Sequence, residues 1–83
     1  MYTVILPRRI QRQLDKFSDY KRHILTDRLK ELEQNPLGGS SVRVRGYQNL
    51  WKQKTTTENI YFEANEDTQE VIIVAIVPIR PRS

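Results

Sequence analysis

Val71-Ile72-Ile73-Val74-Ala75-Ile76-Val77 is the longest apolar run of the chain. It is rich in β-branched residues and has no helical spacing, so it reads as a strand. Both phases of the pleat are apolar, which predicts a central strand covered on both faces. Pro78 and Pro81 stop it. Immediately upstream, Asn65-Glu66-Asp67-Thr68 is a polar four-residue loop suited to a hairpin. Asn59–Ala64 precedes it as a second strand, with Ile60, Phe62 and Ala64 on one face and Tyr61 and Glu63 on the other. Leu50–Lys54 alternates in the same way: Leu50, Lys52 and Lys54 share one face, Trp51 and Gln53 the other. Val42-Arg43-Val44-Arg45 is a further run of period two, set off by the turn Gly46-Tyr47-Gln48-Asn49. Thr55–Glu58 is strand by propensity and connection by position.

The first half of the chain changes period. Tyr2–Leu6 is a short run of β-formers ended by Pro7, which suits the first turn of a helix. Ile10, Leu14 and Phe17 then fall at i, i+4, i+7, one helical stripe. Ser18 and Asp19 can cap a second helix, whose apolar face is Ile24, Leu25, Leu29 and Leu32. Gln34-Asn35-Pro36 ends it, because the residue before a proline disfavours the helical region. Leu37–Ser41 is a loop by composition. The order is therefore β-α-α-β-β-β-β. It predicts an α+β two-layer sandwich, with an N-terminal helical hairpin packed on a small, mainly antiparallel sheet.

Composition bounds the chemistry. The 83 residues suit a single domain, residues 1–83. The absence of Cys excludes a disulfide scaffold and a thiolate metal site, and a single His excludes a His-rich one. The expectation is no metal and no cofactor. The seven-residue apolar run is far short of the roughly 20 residues that span a bilayer. Met1–Pro7 lacks the pattern of a secretory leader. A cytoplasmic protein without membrane contact is expected.

The net charge of +4, from 14 Lys+Arg against 10 Asp+Glu, is unevenly spread. Residues 1–14 hold Arg8, Arg9 and Arg12 and no acid. Residues 42–54 hold Arg43, Arg45, Lys52 and Lys54 and no acid. Residues 55–77 hold Glu58, Glu63, Glu66, Asp67 and Glu70 and no base, and the tail adds Arg80 and Arg82. If the fold gathers the basic segments, the patch attracts a polyanion such as nucleic acid.

In this order of elements the chain resembles the RelE/ParE superfamily of bacterial and archaeal toxins. The resemblance rests on the β-α-α-β-β-β-β order and on local patterns within it. The second helix ends Leu29-Lys30-Glu31-Leu32-Glu33-Gln34-Asn35-Pro36. Leu50-Trp51-Lys52-Gln53-Lys54 is similar to the family's aromatic-basic-x-basic strand, and Asn59-Ile60-Tyr61-Phe62-Glu63 to the strand that follows. Arg80 follows Val71–Val77 as a basic residue follows the last strand in the family.

The resemblance implies a toxin held by a cognate antitoxin. In the RelE-like branch the toxin acts at the ribosome and cuts mRNA without a metal, through attack of a ribose 2′-OH on the adjacent phosphodiester. Such a reaction needs a proton acceptor, positive charge on the phosphorane and a donor for the leaving oxygen. By this resemblance Lys52, Lys54 and Arg80 are the catalytic candidates. Arg43, Arg45, Trp51, Asn59, Tyr61 and Arg82 are the candidates for RNA contact. Asn59 stands where active members usually carry Arg, and the sequence reaches Ser83 without the C-terminal Tyr many of them use. Tyr61 and Tyr47 are the candidate replacements for that hydroxyl. Two further functions fit the resemblance: a ParE-like inhibitor of DNA gyrase, and a catalytically degenerate protein-binding module.

Overall fold

A computed structural model describes residues 1–80. β1 (Thr3–Ile5) leads into α1 (Arg8–Lys16) and α2 (Asp19–Gln34). β2 (Val42–Arg43), β3 (Trp51–Lys54), β4 (Glu58–Asn65) and β5 (Glu70–Pro78) follow. The five strands make one sheet of order β1-β5-β4-β3-β2. β2 to β5 form an antiparallel meander, and β1 lies parallel to β5 on the far side. The helical hairpin covers one face. This is the α+β two-layer architecture that the order of elements predicts.

Local chemistry sets the helix limits. Pro7 stands at the start of α1, and Ser18 caps α2 by accepting a hydrogen bond from the Lys21 N–H at 3.3 Å. α2 stops at Asn35, one residue before Pro36. The corner between the helices is closed by Arg22. Its guanidinium donates to the carbonyls of Leu14 (3.1 Å), Asp15 (3.1 Å) and Phe17 (2.9 Å) and to the Asp19 carboxylate (3.1 Å). Those carbonyls lie at the C-terminal end of α1, where backbone donors run out; Leu14 alone also accepts the Phe17 N–H, at 3.2 Å.

The core lies between the hairpin and the sheet. Ile10 and Leu14 of α1 and Leu25, Leu29 and Leu32 of α2 meet Ile60, Phe62 and Ala64 of β4 and Val71, Ile73 and Ile76 of β5. The inward positions of β5 change phase, from 71 and 73 to 76. The cause is a bulge. Tyr61 pairs with Ala75 and Phe62 with Ile73, so Val74 has no partner on β4. The unbroken apolar run thus serves two phases of one strand. The expected cover on both faces is corrected: Ile72, Val74 and Ala75 are half-buried and Val77 is 42% exposed on the face without helices. β2 is also shorter than the period-two run 42–45, and Val42 is 58% exposed, because it lies on the edge strand and opposes Lys52 on the face without helices.

Candidate functional site

The face without helices is assembled from the residues that the core does not use. Directly opposed residues share a face, so register fixes its rows. Val42, Lys52, Tyr61 and Ala75 form one row across β2, β3, β4 and β5. Lys54, Asn59 and Val77 form the next. Lys52 and Lys54, two apart on β3, are neighbours about 7 Å apart along the strand. No carboxylate of the described residues lies within 4.0 Å of either ammonium.

The ends of the sheet differ in charge. The β4–β5 turn carries Glu66 and Asp67, with Glu70 just beyond. The Asn65 side chain folds this turn, accepting from the N–H groups of Asp67 at 2.9 Å and Thr68 at 3.2 Å. The opposite end carries Lys54. There the Ile79 N–H donates to the Thr57 carbonyl at 3.0 Å, tying the segment after β5 to the β3–β4 turn. Arg80 follows directly and is exposed at that end. Glu58, the acid nearest in sequence, is removed from this surface. It is fully buried on the helix side, where its carboxylate accepts from the Thr57 hydroxyl and lies 3.6 Å from the Lys21 ammonium.

The other sequence candidates divide. Tyr61 is half-buried beside Lys52 in its row. Asn59 lies beside Lys54, and its Oδ1 is buried with no hydrogen-bond partner. Trp51 faces the helices and packs against the core, away from Lys52. Arg43 opposes Trp51, so it does not share the face of Lys52, and it donates to the Gln48 carbonyl at 2.6 Å. Arg45 is exposed in the following turn, beside Gly46 with its φ of +89°. Tyr47 is 61% exposed in the same loop, which descends on Glu63 and Val74. Arg82 lies outside the described residues. Among the described residues no group of three His, Asp or Glu side chains gathers as a metal site. No helix among them is long and apolar enough to cross a membrane.

One basic cluster was not among the sequence candidates. Arg8, Arg9, Arg12, Gln13 and Lys16 of α1 line a shallow hollow. Its signal was the acid-free stretch 1–14, but nothing local to that stretch says where it lies relative to Lys52.

No family model and no curated protein sequence matches the chain. Solved structures do. The isolated RelE toxin of E. coli superposes with a TM-score of 0.84 at 15% identity, covering 99% of this chain and 88% of the toxin. The fold is that of the RelE toxins. The RelBE2 toxin–antitoxin complex of Mycobacterium tuberculosis matches at 0.82 and 16% identity, covering 94% of this chain and 98% of that one. The RelE–RelB complex of Pyrococcus horikoshii matches at 0.81 and 13%, covering 93% of each. At such identities the likeness is one of fold.

Proposed function

We propose that residues 1–83 form a single cytoplasmic domain that is the toxin of a type II toxin–antitoxin pair. Its proposed activity is that of a metal-independent, ribosome-dependent mRNA endoribonuclease that inhibits translation. The observation that carries the reading is a RelE-like sheet whose helix-free face presents Lys52 and Lys54 side by side without a carboxylate partner. The structural relatives include toxin–antitoxin complexes, which supports a cognate antitoxin as partner.

The chemistry follows from the charges. The ribose 2′-oxygen attacks the adjacent phosphorus, its proton passes to a base, and the bond from phosphorus to the 5′-oxygen breaks as that oxygen takes up a proton. A 2′,3′-cyclic phosphate and a 5′-hydroxyl result. Lys52 and Lys54 are the groups for proton transfer and for neutralising the phosphorane. Arg80, at the Lys54 end of the sheet, suits the scissile phosphate as a guanidinium fork. Tyr61, in the row of Lys52, is the nearest phenol by register.

Primer extension on mRNA from a translating extract tests the reading. Cuts that need both ribosomes and Lys52 are expected, together with growth arrest relieved by an antitoxin. Intact mRNA with inhibited supercoiling would instead identify a gyrase inhibitor, which Asn59 in place of Arg would suit. Neither effect would leave a protein-binding module.

A further inference from the structure

We infer that the outer face of α1 is a binding surface for the phosphate backbone of the RNA, continuous with the face of Lys52 and Lys54. The inference rests on the proposed reading for its substrate class, RNA. It is carried by a different part of the molecule.

Arg8, Arg9, Arg12 and Lys16 are all exposed and line one hollow with Gln13. None of the four is ion-paired among the described residues, although Asp15 belongs to the same helix. The first turn of α1 contains no acid, and no side chain caps it. The positive end of the helix dipole therefore adds to the field of the side chains.

The hollow has a fixed place in the fold. Arg9 donates to the Val74 carbonyl at 2.7 Å and Gln13 to the Ile76 carbonyl at 2.7 Å. β1 pairs β5 only as far as Ile72, so α1 takes over its edge from there. Val77, on that same strand, is in the row of Asn59 and Lys54. The β3 cations thus lie two strand steps, about 10 Å, from β5, and the α1 cations lie just past the edge of β5. One nucleic-acid strand can touch both.

The composition favours phosphate over carboxylate. Arg8 and Arg12 are arginines that make no hydrogen bond among the described residues, and a planar guanidinium fork binds phosphate oxygens in pairs. Arg8, Arg12 and Lys16 follow at i, i+4 and i+8, a row with steps of about 6 Å along the helix. A regular polyanion matches such a row better than the irregular acids of a protein. Arg9 is the fixed member, since its guanidinium already holds Val74.

The test is fluorescence anisotropy with the full chain and a short single-stranded RNA probe. The probe carries 2′-O-methyl groups, so it binds without being cut. Each lost phosphate contact lowers the slope of log affinity against log salt by about 0.7. Arg8→Ala/Arg12→Ala should lower it by about 1.4, and adding Lys16→Ala by about 0.7 more. Arg8→Gln/Arg12→Gln, which keeps size and helix propensity, should give the same change with an unaltered melting temperature. An unchanged slope in both double variants overturns the inference. Competition by poly-glutamate equal to that by RNA of the same charge overturns it too, because the occupant would then be an acidic protein. The outcome is separable from that of the catalytic reading. Loss of slope with no cleavage by the wild-type chain leaves this surface standing and removes the nuclease. Intact slopes with Lys52-dependent cleavage do the reverse.

Discussion

The corner between α1 and α2 and the helix-free face of the sheet are both built around cations, and they use them oppositely. At the corner, Arg22 has its guanidinium engaged with three carbonyls and one carboxylate. On the sheet, Lys52 and Lys54 have no carboxylate within 4.0 Å among the described residues. The positive charge of the chain is therefore not one uniform field. Part of it is neutralised by backbone dipoles inside the architecture, and part is held outward by strands whose other face is core. A charge that binds its own backbone stabilises the fold and has little left for a ligand. A charge without a partner adds little to the fold and is available.

That contrast can be broken by exchange of roles. The largest effect is expected at Lys52. Lys52→Ala should lower mRNA cleavage about 10²–10³-fold, the usual cost of removing a charge stabiliser from a reacting centre. Its unfolding free energy should move by no more than about 0.5 kcal/mol, measured by urea denaturation. Full cleavage by this variant would mean that the open face is not the reacting surface. Arg22→Ala should show the opposite pattern. Losing a charged donor to the α1 carbonyls should cost about 2 kcal/mol of stability. Cleavage per folded molecule, read well below the melting temperature, should stay at the wild-type rate.

A smaller effect separates two arginines on one helix. Arg9→Ala removes the donor to the Val74 carbonyl and should cost about 0.5–1 kcal/mol, the low end for a hydrogen bond that water can partly replace. Arg12→Ala, which removes no hydrogen bond to any of the described residues, should leave denaturation unchanged. Equal stabilities for the two would show that the hold on the β5 edge is negligible.

The parts of this fold that were readable in advance are those whose causes are local. Ser18, Pro36 and the alternation of Asn59–Ala64 act within a few residues, so the helices and β4 are visible in the letters. Val71–Val77 was readable as a strand but not as a bulged one. Its apolar residues fill both phases, and the skip at Val74 leaves no mark in such a run. The faces of Lys52 and Trp51 followed from alternation alone. The α1 cluster did not, because the contact that sets Arg9 beside β5 joins residues 65 apart in sequence. Glu58 is similar: nothing near it indicates that Lys21 and the Thr57 hydroxyl take it out of the basic surface.

Asn59 gives the finest division between fold and function, because it sits on the open face and yet keeps a buried oxygen without a partner. Asn59→Arg removes that oxygen and adds a cation beside Lys54. The apolar stem can lie along Val77, its neighbour in the row, while the guanidinium reaches solvent. Stability should hold or rise by about 1 kcal/mol, since a buried unsatisfied carbonyl is lost. If a phosphate passes over the Lys54 row, one charge-assisted hydrogen bond more in the transition state, worth about 1 kcal/mol, should raise cleavage about fivefold. A variant that is more stable but no faster would make the orphaned oxygen a packing defect alone. The reacting phosphate would then lie along the row of Lys52 and Tyr61, so Tyr61→Phe would become the decisive substitution.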